Sequence, residues 1–121
     1  MHICSCKHIR KKVEWMIDIF KALSEESRLR ILSLLMEREM CVCEIESCLK
    51  MTQSNASRHL TVLRKCGILD CYKQAQWAYY RIDESFIQEH KELWEYLRIR
   101  LIELPTYQND CEERSEEHTS E

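Results

Sequence analysis

One glycine and one proline in 121 residues leave almost no turn chemistry for a sheet-rich fold, so helices are expected to dominate. No apolar run approaches the roughly 20 residues that cross a bilayer. The opening stretch Met1-His2-Ile3-Cys4-Ser5-Cys6-Lys7-His8 also lacks the apolar core of a secretion signal. A cytoplasmic chain with no membrane partner is expected. There is no Cys-x-x-Cys, no phosphate loop and no clear acid/base partner for a nucleophile, so the reading is not an enzyme. A chain of this length builds one domain around one modest core.

What the sequence does hold is sulfur. Eight cysteines without an export signal are expected to stay reduced, available to bind metals or to sense oxidants. The net charge of −3 hides an uneven distribution. Between Lys50 and Arg81 stand Lys50, Arg58, Arg64, Lys65, Lys73 and Arg81 against the single acid Asp70, six minus one leaving a local excess of five positive charges. That is the electrostatic footprint of a DNA-facing surface. The acids collect in the tail. There, Arg114-Ser115-Glu116-Glu117-His118-Thr119-Ser120-Glu121 is what AGATCGGAAGAGCACACGTCTGAA encodes, a string resembling a common sequencing adapter. We read residues 114–121 as adapter read-through and hang no function on His118.

Apolar spacing supplies the elements. Ile9, Val13, Met16, Phe20 and Leu23 recur as one face of a helix. Residues 28–36 are apolar nearly all round, as a central buried helix would be. Residues 37–40 read as a connector and Cys43 to Leu49 as a short third helix. Thr52 offers an N-cap oxygen for a fourth helix that runs to Cys66 and stops at Gly67. Ile68 to Tyr72 and Ala78 to Ile82 form a hairpin around the polar tip Lys73-Gln74-Ala75-Gln76. Ser85 caps a last helix that ends before Pro105. The expected fold is mainly α, a winged helix-turn-helix of about five helices and a two-stranded wing. Its parts are a flexible arm over 1–8, the DNA-binding and dimerisation domain over 9–104, and a loose tail over 105–121.

Four motifs in order, Phe20-Lys21-Ala22-Leu23-Ser24-Glu25-Glu26-Ser27-Arg28-Leu29-Arg30-Ile31, Cys41-Val42-Cys43-Glu44-Ile45, Ser57-Arg58-His59-Leu60 and Trp77-Ala78-Tyr79-Tyr80-Arg81, closely resemble the ArsR/SmtB family of metal-responsive repressors. The Cys-Val-Cys motif places the chain nearest the arsenic-sensing branch. The resemblance covers residues 15–82. It implies a homodimer that binds double-stranded operator DNA without metal and leaves it when As(III) or Sb(III) binds. A Cd(II), Pb(II) or Zn(II) effector and a thiol redox sensor are the alternatives.

On the fourth helix Ala56, Leu60 and Leu63 share the inward stripe, which turns Gln53, Ser54, Asn55, Ser57 and Arg58 outward to read base edges. Arg64, Lys65, Lys73 and Gln76 are placed for phosphates. His59, next to the buried stripe, stands between a packing role and a DNA contact. Ala75 occupies a position where the family usually has glycine. Cys41 and Cys43 are the central ligand pair, and the helix start beside them is expected to lower their thiol pKa. As(III) needs three sulfurs and Cd(II) or Pb(II) three or four, so the pair is incomplete. The third cysteine of the arsenic branch falls here on Glu46. Cys48 lies about 140° around the helix from Cys43, which suits the core better than a shared ion. Cys4 and Cys6, on the amino-terminal arm, are the first choice for the missing sulfur, as in the family's cadmium-sensing branch. Cys66 and Cys71 read as packing, and Cys111 as an unattached tail thiol. The family's zinc site on the last helix aligns with Glu84, Phe86, Leu97 and Arg100 and is missing its ligands. Apolar stripes on the first and last helices exceed what a small core covers, so both are expected to pack on a second copy.

Overall fold

The computed structural model describes residues 2–103, with side chains described from Val13 onward. Among these residues the order is α1 (His2–Leu23), α2 (Glu26–Glu37), β1 (Met40–Cys41), α3 (Val42–Leu49), α4 (Gln53–Lys65), β2 (Leu69–Gln74), β3 (Trp77–Ile82), α5 (Glu84–Glu89) and α6 (Lys91–Leu101). Helix α2 is the hub: Ile31, Leu32, Ser33, Leu34 and Leu35 are all buried. Around it close Ile19, Ala22 and Leu23 of α1, Ile45, Cys48 and Leu49 of α3, Leu60 and Leu63 of α4, and Phe86, Leu97 and Leu101 of α5 and α6. The helix-turn-helix is α3 and α4, with Lys50 in a left-handed turn (φ 55°) closing the first and the Thr52 hydroxyl capping the second.

At its far end α4 stops as its sequence predicts. Gly67 takes φ 88°, and the amides of Gly67 and Ile68 bond back to the carbonyls of Arg64 and Leu63. The chain then enters the wing, where β2 pairs with β3 from Leu69↔Ile82 to Gln74↔Trp77. The tip residue Ala75 sits at φ 59°, a conformation that glycine adopts without strain and alanine does not.

Three expectations need correction. The sheet has three strands, in order β1-β3-β2, because Met40 and Cys41 pair with Tyr80 and Tyr79. Met40, read as the end of the connector over residues 37–40, is therefore part of a strand. The last helix is split, giving six helices rather than about five. His90 leaves helical geometry (φ −126°, ψ 54°), its ring held against Trp15 and Phe86. The cap at its start is the Asp83 carboxylate, which accepts from the Ser85 amide at 2.8 Å. Finally, α1 begins at His2, so Cys4 and Cys6 fall within a helical span rather than a loose arm; their side chains, like residues 104–121 with Cys111 and His118, lie outside the described set.

Two surfaces stay apolar. On α1, Trp15, Met16, Ile17 and Phe20 are exposed, and at the other terminus so are Tyr96, Ile99 and Ile102. Of the stripe expected on the first helix, Met16 and Phe20 are exposed and Leu23 is buried, and the monomer core adds Ile19 and Ala22 from outside that stripe.

Candidate DNA-reading surface and thiol site

Burial of Ala56, His59, Leu60 and Leu63 fixes the rotation of α4. Gln53, Ser54, Asn55, Ser57 and Arg58 consequently face solvent along its first two turns, and Arg64 and Lys65 at its end. Lys73 and Gln76 are exposed on the wing. All nine residues read from the sequence as DNA contacts are thus on the surface. The start of α4 carries no acidic residue in its first turn, so its amides and positive dipole end remain open to phosphate. Arg81 is a different kind of cation. It is bonded to Asp70 at 2.9 Å and lies 4.6 Å from the Tyr72 ring, and the paired carboxylate offsets its charge at the surface. His59 is buried, which removes it from the DNA face.

The thiols lie at the other helix start. Cys41 ends β1 opposite Tyr79 and is also the N-cap of α3. Its Sγ accepts from the Glu44 amide while the Glu44 carboxylate accepts from the Cys41 amide at 3.2 Å, a reciprocal capping box. Arg38 holds that carboxylate at 2.6 Å. Together with partial burial of Glu44, which works the other way, the Arg38 and Cys41 contacts hold it below the ordinary carboxylate range. Cys43, exposed in the first turn, lies close enough to Cys41 for the two thiols to act on one another electrostatically.

The Cys43 thiol is pushed up, not down. Partial loss of water is the largest cause, followed by the charge of Cys41, of Glu46 and of Glu44. Desolvation first, with the neighbouring negative charges adding to it, outweighs the pull of the helix start, and the expected lowering is not realised. Cys48 is buried in the core, 1% exposed, as its helical angle predicts. Cys66 is half-buried, bonds the Leu63 carbonyl at 3.4 Å and is raised by burial. Cys71 faces Tyr80 across the wing. Among the described residues no group of three or more His, Cys, Asp or Glu side chains is arranged to hold a metal ion; Cys41 and Cys43 are two soft donors, fewer than the three that a thiophilic ion such as As(III) takes.

Two features escape sequence reasoning. The pairing of β1 with the wing has no pattern to announce it, and the Arg28–His59 contact joins residues 31 apart in the chain.

A buried-faced recognition helix, an open basic helix start and a wing with exposed tip residues define a winged helix-turn-helix DNA-binding regulator. Comparison with known proteins makes this more specific. The model of the bacterial regulatory protein arsR family matches residues 18–70. An uncharacterized HTH-type transcriptional regulator of Methanocaldococcus jannaschii is 41% identical over 80 residues, 65% of this chain and 90% of that protein. The arsenical resistance operon repressor of Escherichia coli is 45% identical over 67 residues, 54% of this chain and 57% of the repressor, so the chain spans little over half of that relative. The cadmium resistance transcriptional regulatory protein CadC of Listeria innocua is 39% identical over 75 residues, 61% of this chain and 63% of that protein. Among solved structures, a homodimeric winged helix-turn-helix domain from Mycobacterium bovis superposes with a TM-score of 0.64 at 26% identity, covering 72% of this chain and 81% of that one. The chain belongs to the ArsR family of transcriptional regulators. Among the described residues no helix is long and apolar enough to cross a membrane.

Proposed function

We propose that this chain is a cytoplasmic repressor that binds operator DNA in its ion-free form and releases it when As(III) or Sb(III) binds Cys41 and Cys43. The observation that carries this reading is the pair of thiols, Cys41 and Cys43, at the start of α3, the helix packed directly on α4. Similarity to the E. coli arsenical repressor supports the same effector class. Cys4 or Cys6, from the start of α1 in the same or the partner subunit, supplies the remaining sulfur. Cys48, buried under α3, is the lesser candidate. Ligation pulls on Cys41, which is at once the cap of α3 and the backbone partner of Tyr79, so α4 and the wing both shift from their DNA-bound positions.

The working unit is a homodimer. The exposed residues Trp15, Met16, Ile17 and Phe20 of α1, with Tyr96, Ile99 and Ile102, form the surface that a second copy covers. Two reading helices then address two half-sites. Gln53, Ser54, Asn55, Ser57 and Arg58 contact bases, and Arg64, Lys65, Lys73 and Gln76 contact phosphates.

A second reading is a Cd(II) or Pb(II) sensor. Glu44 and Glu46 put negative charge beside Cys43, which favours a cationic ion over neutral arsenite. Similarity to the L. innocua cadmium regulator supports it. Titrating As(III) and Cd(II) separately into an operator complex tests both: if Cys41→Ser and Cys43→Ser still release DNA, the thiol-pair mechanism fails. Release by peroxide without any metal would instead favour redox sensing.

A further inference from the structure

Behind the reading surface lies a buried charged network that DNA contact does not use. Arg28 is 9% exposed and His59 3%. Arg28 Nε donates to the Ala22 carbonyl at 2.6 Å and Nη2 to the Lys21 carbonyl at 3.4 Å, closing the end of α1. Its Nη1 lies 3.2 Å from His59 Nδ1, and Nη2 lies 3.3 Å from Glu25 Oε2. His59 Nε2 lies 3.4 Å from Glu25 Oε1.

The chemistry assigns the proton. A guanidinium only donates, so Nδ1 accepts, and the imidazole proton sits on Nε2 and points to Glu25. The ring is therefore neutral. A second proton would set an imidazolium against a buried guanidinium, with nowhere for either to move. Burial is the largest cause holding His59 below the ordinary imidazole range; Glu25 opposes it, and Arg58 and Arg28 reinforce it. The other charges around the cluster are Asp18 and Lys21 of α1 and Lys65 of α4, which share a cleft with Arg28.

Three elements meet here: the end of α1, the start of α2 and the middle of α4. Around α4, Ser57 lies about 160° and Arg58 about 100° from His59, so α4 cannot turn about its axis to re-aim them without breaking the contact with Arg28. We propose that Arg28 and His59 are positioning residues for DNA reading, their buried contact fixing the angle at which α4 presents Gln53 through Arg58. The inference rests on α4 as the reading helix and is independent of which ion binds the thiols.

The test uses the full chain and a duplex selected by the wild type from a randomised library. Affinity is measured by fluorescence anisotropy at fixed salt for wild type, His59→Phe and His59→Gln, with thermal unfolding followed in parallel. His59→Phe fills the site without either hydrogen bond and is expected to bind about tenfold more weakly, within the usual range of such couplings. His59→Gln keeps a donor and an acceptor and is expected to stay near wild type at neutral pH. As pH falls below the free imidazole value of 6.5, wild type is expected to lose affinity relative to His59→Gln, because only the imidazole gains a proton. A purely structural role would lower the melting temperature while leaving the affinity of the folded protein and its pH profile unchanged, and that result overturns the proposal. Should His59→Phe not fold, identical pH profiles for wild type and His59→Gln overturn it alone. Failure to select any duplex removes the reading role of α4, and this inference with it.

Discussion

Helices α3 and α4 are neighbours of similar build, yet their amino ends are prepared for opposite tasks. At α4 a neutral hydroxyl, Thr52 Oγ1, accepts from the Asn55 amide, and no acid lies in the first turn. The positive end of the helix is left for an anion from outside. At α3 the cap is a thiol and its reciprocal partner is Glu44, itself paired with Arg38. That end is satisfied from within. The same feature, a helix start, is thus open to an anion in one place, while in the other partial loss of water and then the neighbouring negative charges push the Cys43 thiol up. The two starts differ in what the chain has already placed around them.

The comparison can be broken most severely at the sulfurs. Replacing both Cys41 and Cys43 by serine is expected to abolish ion-driven release while operator affinity stays near wild type, since serine also caps a helix. Anisotropy titration of the operator complex with As(III) measures it, and a double variant that still lets go would end the division of labour between the two helix starts. Next in size, Arg58→Ala is expected to weaken operator binding by about 1 to 3 kcal/mol and relax sequence preference, whereas Lys65→Ala should weaken all duplexes alike and lower the salt slope by about one. Competition binding across a salt series separates the two.

A smaller effect is expected from Glu44→Ala, which opens the capping box and should cost roughly 1 kcal/mol in thermal or urea unfolding. The smallest sharpens the electrostatic contrast. Because Glu46 raises the Cys43 thiol, Glu46→Gln should lower its pKa and speed its alkylation at mildly alkaline pH. The sign for ion binding follows: a raised thiol pKa means a proton must leave before sulfur ligates, so apparent affinity climbs with pH and climbs earlier in Glu46→Gln. An unchanged alkylation profile would mean that Glu46 does not contribute to the Cys43 pKa.

Much of this arrangement is legible without coordinates because it is local. The stripe Ala56, Leu60, Leu63 sets the rotation of α4, Thr52 and Gly67 mark its ends, and the angle from Cys43 to Cys48 separates surface thiol from core thiol. Each depends on residues a few positions apart. What escapes depends on distant partners. Met40 and Cys41 become a strand only because Tyr79 and Tyr80 lie alongside, and two residues carry no periodicity. The break at His90 answers to ring contacts with Trp15, on another helix. The Cys43 thiol moves against its helix start because it loses water on folding and because Cys41, Glu46 and Glu44 lie next to it, a balance that spacing alone does not weigh. His59 stands between two readings in the sequence, since only the fold brings Arg28 to it.

The position of Cys41 as strand end, helix cap and thiol has a genetic consequence. Serine preserves the first two roles and deletes the third, and any cysteine codon becomes a serine codon by one base change. Loss of responsiveness is therefore a short mutational step that leaves a folded, DNA-competent protein behind. Under the proposed function, such an allele would hold its operator whether or not the ion is present and, in a mixed dimer, would be expected to be dominant over a working copy.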